Sequence, residues 1–427
     1  MNVILTGAKQ PATFLASAKT IKSLIFDAGA DTSFSIRLAD SAAGTNAANL
    51  TFGAASSLIN INAGSAAAHT LGVAGGNIVL SSTLAISNNS PANFTINRPI
   101  TGTGWLIKDG AGPLTLSGAN TYSGNTHIYA GELRLGSGGA LASLYINVGQ
   151  YISPDITAKF WLESSGQTLS RIINVTPGAA PNTRVVGGLN TNGTVTFSGE
   201  IWLDGDVNLS AESGGTVVVS GLITYGIDNW YGINKVGLGT MELSNSGNDY
   251  DGDTTISAGT LLVNNASGSG TGSGAVTVNS GGTLGGTGIV SGVVTVNSGA
   301  TNAPGNNGIG ELHTGALTFK AGSALDWEFA DATADAVAVA GSLTFESQVT
   351  VKVKKAGTMT SGTFTALKYT GTAPDILNLT FDLSQAGGVT EAYATLDTTN
   401  KVVMFQVVPE PGLVALAGLA LLALRKS

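Results

Sequence analysis

The sequence predicts an all-β protein built as a right-handed parallel β-helix, and three observations carry this prediction. Gly makes up 60 of the 427 residues and Pro only 11, while β-branched residues are plentiful, which is typical of short strands joined by tight turns. The segment 106–135 recurs in altered form at 233–263. The run that begins at Val276, VTVNSG, returns 18 residues later at Val294. Such a short internal period indicates stacked coils.

The composition excludes several classes of function. Charged residues are 11% of the chain and the formal net charge is −8; no basic run offers a surface for phosphate backbones, so we expect no nucleic-acid partner. The chain has no Cys and therefore no disulfide or Cys-ligated metal. A small stock of acids and bases argues against an enzyme, and we expect no cofactor.

The chain begins with a segment, residues 1–20, that lacks the basic start and apolar core of a signal peptide. We therefore expect either a cytosolic protein or a natural N-terminus that lies upstream. We predict the β-helix over residues 21–342, where short alternating runs are bounded by Gly, Asn, Ser or Pro. The first runs are Ser23–Phe26, Phe34–Ile36, Ile59–Ile61, Ile78–Leu80, Leu84–Ile86 and Phe94–Ile96. At roughly 20 residues per coil, about 16 coils would fit before residue 350.

The two copies at 106–135 and 233–263 share turn glycines, one lysine and one tyrosine. The lysines are Lys108 and Lys235, and the tyrosines are Tyr122 and Tyr250. The shared glycines are Gly110, Gly112, Gly124 and Gly131 in the first copy, and Gly237, Gly239, Gly252 and Gly259 in the second. Gly permits the left-handed backbone that sharp corners need. We interpret the segment as a building unit of the coil rather than as a site with its own activity.

An acidic cluster in the second copy is the weak candidate for a Ca²⁺ site: Asp249, Asp251 and Asp253. It departs from the EF-hand loop, because Thr254 and Thr260 stand where that loop has Gly and Glu. The matching turn of the first copy carries no acid, so a structural turn is the favoured interpretation. The histidines lack a partner at metal-ligand spacing as well: His69, His127 and His313. We expect no metal.

Residues 136–232 are richer in charged and aromatic side chains than the rest of the chain. Five charged residues there would have to gather for a polysaccharide-cleaving groove, although no spacing supports it: Asp155, Lys159, Glu163, Arg171 and Arg184. Aromatic residues of this region could stack on sugars: Trp161, Trp202, Trp230 and Tyr231. The favoured interpretation is that these rings fill a core or cover an exposed edge.

The C-terminal part of the chain changes character twice. Residues 343–407 hold longer strands with Lys along them, which predicts a β cap built from antiparallel strands over the open end of the helix. Residues 408–427 combine Pro409-Glu410-Pro411, the apolar run 413–424 and a basic end, Arg425-Lys426. We predict a short apolar helix there. It is too short to cross a bilayer upright, which takes about 20 residues, and its basic end favours the cytoplasmic side.

Two resemblances follow from these motifs. The segments 106–135 and 233–263 keep Lys-x-Gly-x-Gly, Leu-x-Leu-Ser, Asn-x-Tyr-x-Gly and Ala-Gly-x-Leu in one order, and this resembles the autotransporter-associated β-strand repeat. That resemblance implies a secreted β-helix passenger. The tail from residue 408 resembles a PEP-CTERM sorting signal. It implies export, a transient membrane contact through the tail, cleavage near Pro409 by an exosortase-type enzyme, and association with extracellular polysaccharide.

The combined expectation is an exported, non-catalytic β-helix protein of the cell surface or extracellular matrix, associated with exopolysaccharide. Two alternatives stay open at this point. One is a β-helix enzyme that degrades polysaccharide, and the other is a cell-surface adhesin that contacts other proteins.

Overall fold

A computed structural model of the chain describes residues 2–6, 13–14, 19–27, 35–38, 49–54, 56–63, 67–150, 157–177, 183–226, 230–306, 308–358 and 361–409. The chain divides into two compact units, residues 1–254 and 255–427. Each unit is built almost entirely of short strands.

The strands of the first unit follow one another with turns of a few residues or longer loops between them. They are β1 (Asn2–Thr6), β2 (Thr13–Phe14), β3 (Lys19–Ile21), β4 (Ser23–Asp27), β5 (Ser35–Leu38), β6 (Leu50–Phe52), β7 (Ser57–Ile61), β8 (His69–Gly75), β9 (Ile78–Leu80), β10 (Leu84–Asn88), β11 (Phe94–Ile96), β12 (Ile100–Gly102), β13 (Leu106–Asp109), β14 (Pro113–Leu116), β15 (Ala119–Asn120), β16 (Thr126–Ile128), β17 (Gly131–Leu135), β18 (Ala140–Leu141), β19 (Tyr145–Val148), β20 (Ala158–Leu162), β21 (Thr168–Leu169), β22 (Ile172–Val175), β23 (Arg184–Gly188), β24 (Thr194–Phe197), β25 (Ile201–Leu203), β26 (Val207–Ala211), β27 (Thr216–Val219), β28 (Ile223–Tyr225), β29 (Ile233–Val236) and β30 (Thr240–Leu243).

The second unit continues with strands that lengthen toward its end. They are β31 (Thr254–Ile256, whose first residue belongs to the first unit), β32 (Gly259–Val263), β33 (Val276–Val278), β34 (Gly282–Gly286), β35 (Ile289–Val290), β36 (Val294–Val296), β37 (Thr301–Pro304), β38 (Glu311–Thr314), β39 (Leu317–Phe319), β40 (Ala324–Ala330), β41 (Thr333–Ala334), β42 (Ala336–Val339), β43 (Leu343–Phe345), β44 (Val349–Lys355), β45 (Gly362–Tyr369), β46 (Leu379–Gln385), β47 (Val389–Asp397) and β48 (Val402–Pro409).

In the first unit every third strand returns to the same side, so one coil holds three strands. Sheet A has the order β1-β4-β7-β10-β13-β16-β19-β22-β25-β28, and sheet B of this unit has the order β2-β5-β8-β11-β14-β17-β20-β23-β26-β29. The third side, side C, consists of three shorter ladders, β3-β6-β9-β12, β15-β18 and β21-β24-β27-β30. Neighbouring strands within these sheets pair in parallel. The predicted parallel β-helix is therefore confirmed.

The core of the first unit is a set of ladders of apolar side chains. Strands such as β7 and β10 alternate between buried and half-buried residues, because successive side chains of a strand point to opposite faces. One inward ladder of sheet A runs through Leu84, Leu106, Thr126, Ile146, Ile173, Ile201 and Ile223. Each fully buried Leu or Ile contributes about 1.5–3 kcal/mol, so the stack of coils is stabilised by repetition of one contact.

Coil length varies more than the sequence period predicted. Leu106 pairs with Thr126, an offset of 20 residues, but Ile146 pairs with Ile173, an offset of 27. Some turns between strands hold extra residues while the strands keep their register. The described coils are therefore longer on average than the sequence period assumed, and the described ranges form fewer coils than the roughly 16 expected.

The second unit keeps the same plan and then changes its strand direction. Its parallel ladders are β33-β36-β39-β43, β32-β34-β37-β40-β44-β46 and β35-β38-β42-β45. Antiparallel pairing links β45, β48 and β47. Within residues 343–407, for which the sequence predicts a β cap, β43, β44 and β46 still stack in parallel as rungs of the helix, and β45 joins the parallel ladder on one edge and the antiparallel strands on the other. Aromatic rings fill the interior here, with Trp327 packed against Phe329, Phe364 and Phe405.

Helical structure is nearly absent from the described ranges. One 3-10 turn, Ile376–Asn378, begins where the Asp375 side chain accepts a hydrogen bond from the Leu377 amide at 3.0 Å. No helix in the described parts of the chain is long and apolar enough to cross a membrane. The apolar run 413–424 that we predict to be helical, together with Glu410, Pro411, Arg425 and Lys426, lies outside the described residues. Pro409 is the last residue of β48.

Candidate functional site

The lysine of the first repeat copy is buried and holds two coils together. Lys108 has no exposed surface, because its position in β13 points into the solenoid. Its Nζ donates to the carbonyl oxygens of Asp109 at 2.7 Å, Gly110 at 2.6 Å and Ala130 at 3.0 Å. Ala130 follows β16, the next strand up in sheet A. Three carbonyls match the three donors of an ammonium group.

Lys235 of the second copy has the same arrangement in its own strand. It is also fully buried, and its Nζ donates to the carbonyl oxygens of Val236 at 3.0 Å and Gly237 at 2.8 Å. Burial lowers the pKa of Lys108 to about 7, although the nearby charges of Asp109 and Glu132 offset part of this. Burial likewise lowers the pKa of Lys235 to about 8. Both lysines therefore serve the turn that follows their strand, and neither is presented to solvent.

The shared tyrosines are buried as well. The Tyr122 hydroxyl lies 2.6 Å from the Thr126 hydroxyl, which lies 2.9 Å from that of Ser143 in the next coil. In the second copy the Tyr250 hydroxyl lies 2.7 Å from that of Thr254. Burial raises the pKa of both phenols. Each tyrosine thus fills the corner of a coil and bonds to the strand that follows.

The shared glycines mark corners that a side chain would block. Gly110 and Gly237 have φ of 74° and 77°, a region that L side chains rarely adopt. A Cβ at Gly112 would overlap the carbonyl oxygen of Ser90, and one at Gly239 would overlap that of Glu212. Positive φ or backbone crowding also marks the remaining four: Gly124, Gly131, Gly252 and Gly259. The residues that define the repeat therefore determine coil geometry.

The acidic residues of the second copy lie at exposed positions. Asp249, Asp251 and Asp253 alternate with buried Tyr250 and Gly252 along the chain. Among the described residues, no group of three His, Asp or Glu side chains could hold a metal ion. The three histidines differ in exposure: His69 is buried, His127 is half-buried and His313 is exposed.

The outer surface of sheet B carries a small ion-pair network. Glu132 pairs with Lys159 at 3.1 Å and with the Arg134 guanidinium, whose Nε lies at 2.9 Å, and Arg134 also approaches Glu163 at 3.8 Å. Burial alone would raise the pKa of Glu132, but hydrogen bonds and charges from Arg134 and Lys159 lower it overall. A carboxyl held ionised is a poor general acid for glycoside cleavage.

The charged residues of the predicted cleavage groove are only partly brought together. Lys159 and Glu163 join the network on sheet B. Arg171 instead donates through Nε to the Leu141 carbonyl at 3.1 Å, and Arg184 is buried, with a donor 3.3 Å from the Pro177 carbonyl. Asp155 lies outside the described residues. The described members are tied to neighbouring carbonyls or to each other rather than arranged around a groove.

The aromatic residues named from the sequence have different environments. Trp161 is buried, with its ring over the space left by Gly187, which agrees with the interpretation that such rings fill a core or cover an exposed edge. Trp202 and Tyr231 are half-buried. Trp230 is 83% exposed, so the interpretation that it fills a core or covers an edge is wrong for this residue.

A group of aromatic side chains lies on the outer surface of sheet A. This aromatic face consists of Trp105, His127, Tyr129, Tyr145 and Trp202. The Trp105 and His127 rings are 5.1 Å apart and tilted by 34°, and the His127 and Tyr129 rings are 5.7 Å apart. The Tyr145 and Trp202 rings are 5.7 Å apart. Trp105 is 48% exposed, so the face is open to solvent.

Carboxamides lie between the two ring groups. Asn147 and Asn174 occupy the same register position as His127 and Trp202. The Asn174 amide donates to the Asn147 side-chain oxygen at 3.3 Å. The Trp202 Nε1 donates to Glu200 at 2.7 Å, which fixes the plane of that ring. This surface therefore offers flat rings and amide groups side by side.

Of this face, only Trp202 was predicted from the sequence as a ring that could stack on sugars. Trp105, Tyr129 and Tyr145 were missed because they are far apart in the chain and meet only when coils stack. The alternation of buried and half-buried residues was the available signal, because it places each of these residues on the outward side of its strand or just beside it.

A parallel β-solenoid of short, glycine-cornered coils is the class that this geometry defines. Residues 106–135 and 233–263 match the family described as the Passenger-associated-transport-repeat, so the resemblance of these segments to the autotransporter-associated repeat is confirmed. The chain is also similar to the Adhesin BmaC autotransporter of Brucella suis biovar 1 (strain 1330), with 34% identity over 195 residues. That match covers 45% of this chain and 5% of the relative.

Proposed function

We propose that this chain is a non-catalytic β-solenoid of the cell surface or extracellular matrix that attaches to polysaccharide. The observation that carries the proposal is that the inward and outward residues of the coils have different roles. Residues that the repeat copies share point inward and build the scaffold, whereas the outer surface of sheet A presents open aromatic rings and amides. Such rings bind through large flat areas at a small entropic cost.

The comparisons support a location outside the cell. The matched family is described by transport of a passenger, and the relative is described as an autotransporter adhesin. Neither description refers to catalysis. On this proposal the solenoid serves as a rigid support for its outer surface, and it needs no cofactor.

The C-terminal tail supports a further part of the proposal, which concerns sorting to the surface. The order Pro-Glu-Pro, apolar run and basic end from residue 408 onward supports sorting by an exosortase-type enzyme after a transient membrane contact. Intact-mass measurement of the protein isolated from the surface fraction of its native cells tests this step. We expect a mass that lacks the residues from about Pro409 onward. An intact chain recovered from the cytosol would contradict both the sorting and the surface location.

An adhesin that contacts protein partners is the second candidate, and the named relative is the observation that favours it. Attachment of the purified protein to cells before and after enzymatic removal of their glycans separates the two. Loss of attachment supports polysaccharide as the partner, and full attachment to the stripped cells supports a protein partner.

A further inference from the structure

We infer that the aromatic face of sheet A is the polysaccharide-binding site, and that its ligand is a neutral glycan lying along the stack of coils. This inference rests on the proposed attachment to polysaccharide. It narrows that proposal to one surface and one class of ligand.

The face follows the direction in which the coils stack. Strands β13, β16, β19, β22 and β25 are consecutive neighbours in sheet A, and each contributes or immediately follows an outward ring or carboxamide. Five strands at about 4.8 Å spacing extend for roughly 20 Å. A surface of that length accommodates several pyranose rings in a row, each near a different coil.

The chemistry of the face matches both the flat C–H surface and the hydroxyl groups of a sugar ring. A pyranose has a flat surface of C–H groups, and the negative face of an aromatic ring attracts such weakly positive hydrogens. Trp105 offers the most open ring, and the hydrogen bond from Trp202 to Glu200 at 2.7 Å holds a second ring in place. Asn147 accepts the bond from Asn174, which leaves its own NH₂ group to donate to a sugar hydroxyl.

The charges around the face select a neutral ligand. No Lys or Arg points outward from β13, β16, β19, β22 or β25, because Lys108 is directed inward. The carboxylates that border the face are Asp109 and Glu200, and burial lowers the pKa of His127, which keeps its ring uncharged. One cation, Arg171, immediately precedes β22; it is half-buried and its Nε donates to the Leu141 carbonyl. An anionic polysaccharide would therefore meet two carboxylates with a single, already bonded cation to offset them.

The outer surface of sheet B in the same coils is charged rather than aromatic. It carries Glu132, Arg134, Lys159 and Glu163 in ion pairs, and its tryptophan, Trp161, is buried. The aromatic face is therefore specific to one side of the coil and is not a general property of the solenoid surface.

Affinity electrophoresis of the whole protein tests the inference. Gels contain hydroxyethylcellulose, xyloglucan or dextran as neutral polysaccharides, or polygalacturonate as the acidic one. The variants are Trp105→Ala and Trp202→Ala on the face. Trp230→Ala is the matched control, because this tryptophan is 83% exposed but precedes β29 of sheet B, whereas Trp105 precedes β13 of sheet A. Far-ultraviolet circular dichroism checks that each variant is folded.

We expect at least one neutral polysaccharide to retard the wild-type protein, with the dissociation constant raised about tenfold by each face variant and unchanged by Trp230→Ala. Face variants that are retarded like the wild type would overturn this site and leave the proposed attachment standing. Retardation by polygalacturonate alone would overturn the ligand class. A wild-type protein that no polysaccharide retards would overturn the attachment and this inference together.

Discussion

The two repeat copies share an interior but have different exteriors. Lys108 and Lys235 are both buried and both donate to the carbonyl of the glycine two residues later. Yet β13 lies in sheet A and β29 lies in sheet B. Beside Lys108 the outer surface holds Trp105 and His127, whereas beside Lys235 it holds Asn234, which donates to Asn208 at 3.0 Å.

This difference shows which parts of the sequence are constrained by folding. Inward residues of a coil must stack on the coils above and below, so both copies keep the same ones. Outward residues meet only solvent and their neighbours on the same side, so they are free to differ. A binding surface can therefore be placed on one copy without disturbing the unit that both copies use.

Removing the lysines should have the largest effect and should be similar in both copies. Lys108→Ala and Lys235→Ala each leave buried carbonyl groups without a donor and open a cavity, and we expect each to lower the free energy of unfolding by about 3 kcal/mol. Guanidinium-induced unfolding followed by circular dichroism measures it. The control, Lys159→Ala, removes a partly exposed ion pair on sheet B and should cost less than about 1 kcal/mol. A loss that small at Lys108 would refute the structural role.

The turn glycines should come next. Gly110→Ala and Gly237→Ala combine an unfavourable φ with a clash against a carbonyl oxygen, and we expect a loss of roughly 2 kcal/mol each. Gly166→Ala separates the two effects, because Gly166 has a φ of 84° but nothing within 4 Å of its added Cβ. Its expected loss is about 1 kcal/mol. Equal losses at all three positions in the same unfolding assay would show that the clash contributes nothing.

A smaller loss is expected for the tyrosine hydroxyls. Tyr122→Phe and Tyr250→Phe remove one buried hydrogen bond each, to Thr126 and to Thr254, and should cost about 1 kcal/mol each. Thermal unfolding of the single variants and the double variant measures the loss. Because the sites lie in separate coils, the two losses should add; strong non-additivity would mean that the copies are coupled.

The smallest difference expected between the copies is in how their lysines make stability depend on pH. Burial holds the pKa of Lys108 near 7 and that of Lys235 near 8 in the folded protein, below the ordinary value near 10.4 in the unfolded chain. Above its folded pKa each lysine binds fewer protons when folded than when unfolded, so stability rises with pH up to about 10.

The rise should begin at a lower pH for Lys108 than for Lys235. Urea unfolding between pH 6 and 9 on the wild type, Lys108→Met and Lys235→Met measures this, and each variant should lose its own part of the slope. A slope that both variants retain would assign the pH dependence to other groups.

Strand positions could be predicted from the sequence because alternation and turn residues are local. The bounds predicted for β9 and β11 are those of the structure. The side on which each strand lies could not be predicted, because it depends on every turn before it. In the described chain β29 is the sixteenth strand after β13. Five whole coils would account for fifteen strands, so the extra strand moves the second copy from sheet A to sheet B.

The aromatic face could not be predicted from the sequence for the same reason. Tyr145 and Trp202 are 57 residues apart, and they meet because coils of unequal length keep a common register in sheet A. A sequence period assumes coils of equal length, so it aligns the wrong residues. The bonds that Lys108 and the Tyr122–Thr126 pair make to neighbouring coils could not be predicted either. The recurrence of both residues in the second copy did indicate a structural role.

The link that Lys108 makes between two coils has a mechanical consequence. Hydrogen bonds between parallel strands run along the direction of stacking, so a pull in that direction loads the coils one after another. A coil would detach by losing its strand pairing, and Lys108 adds its bond to the Ala130 carbonyl of the next coil at 3.0 Å. Under tension the first unit should therefore yield in steps, with a higher force at the coil that this lysine ties.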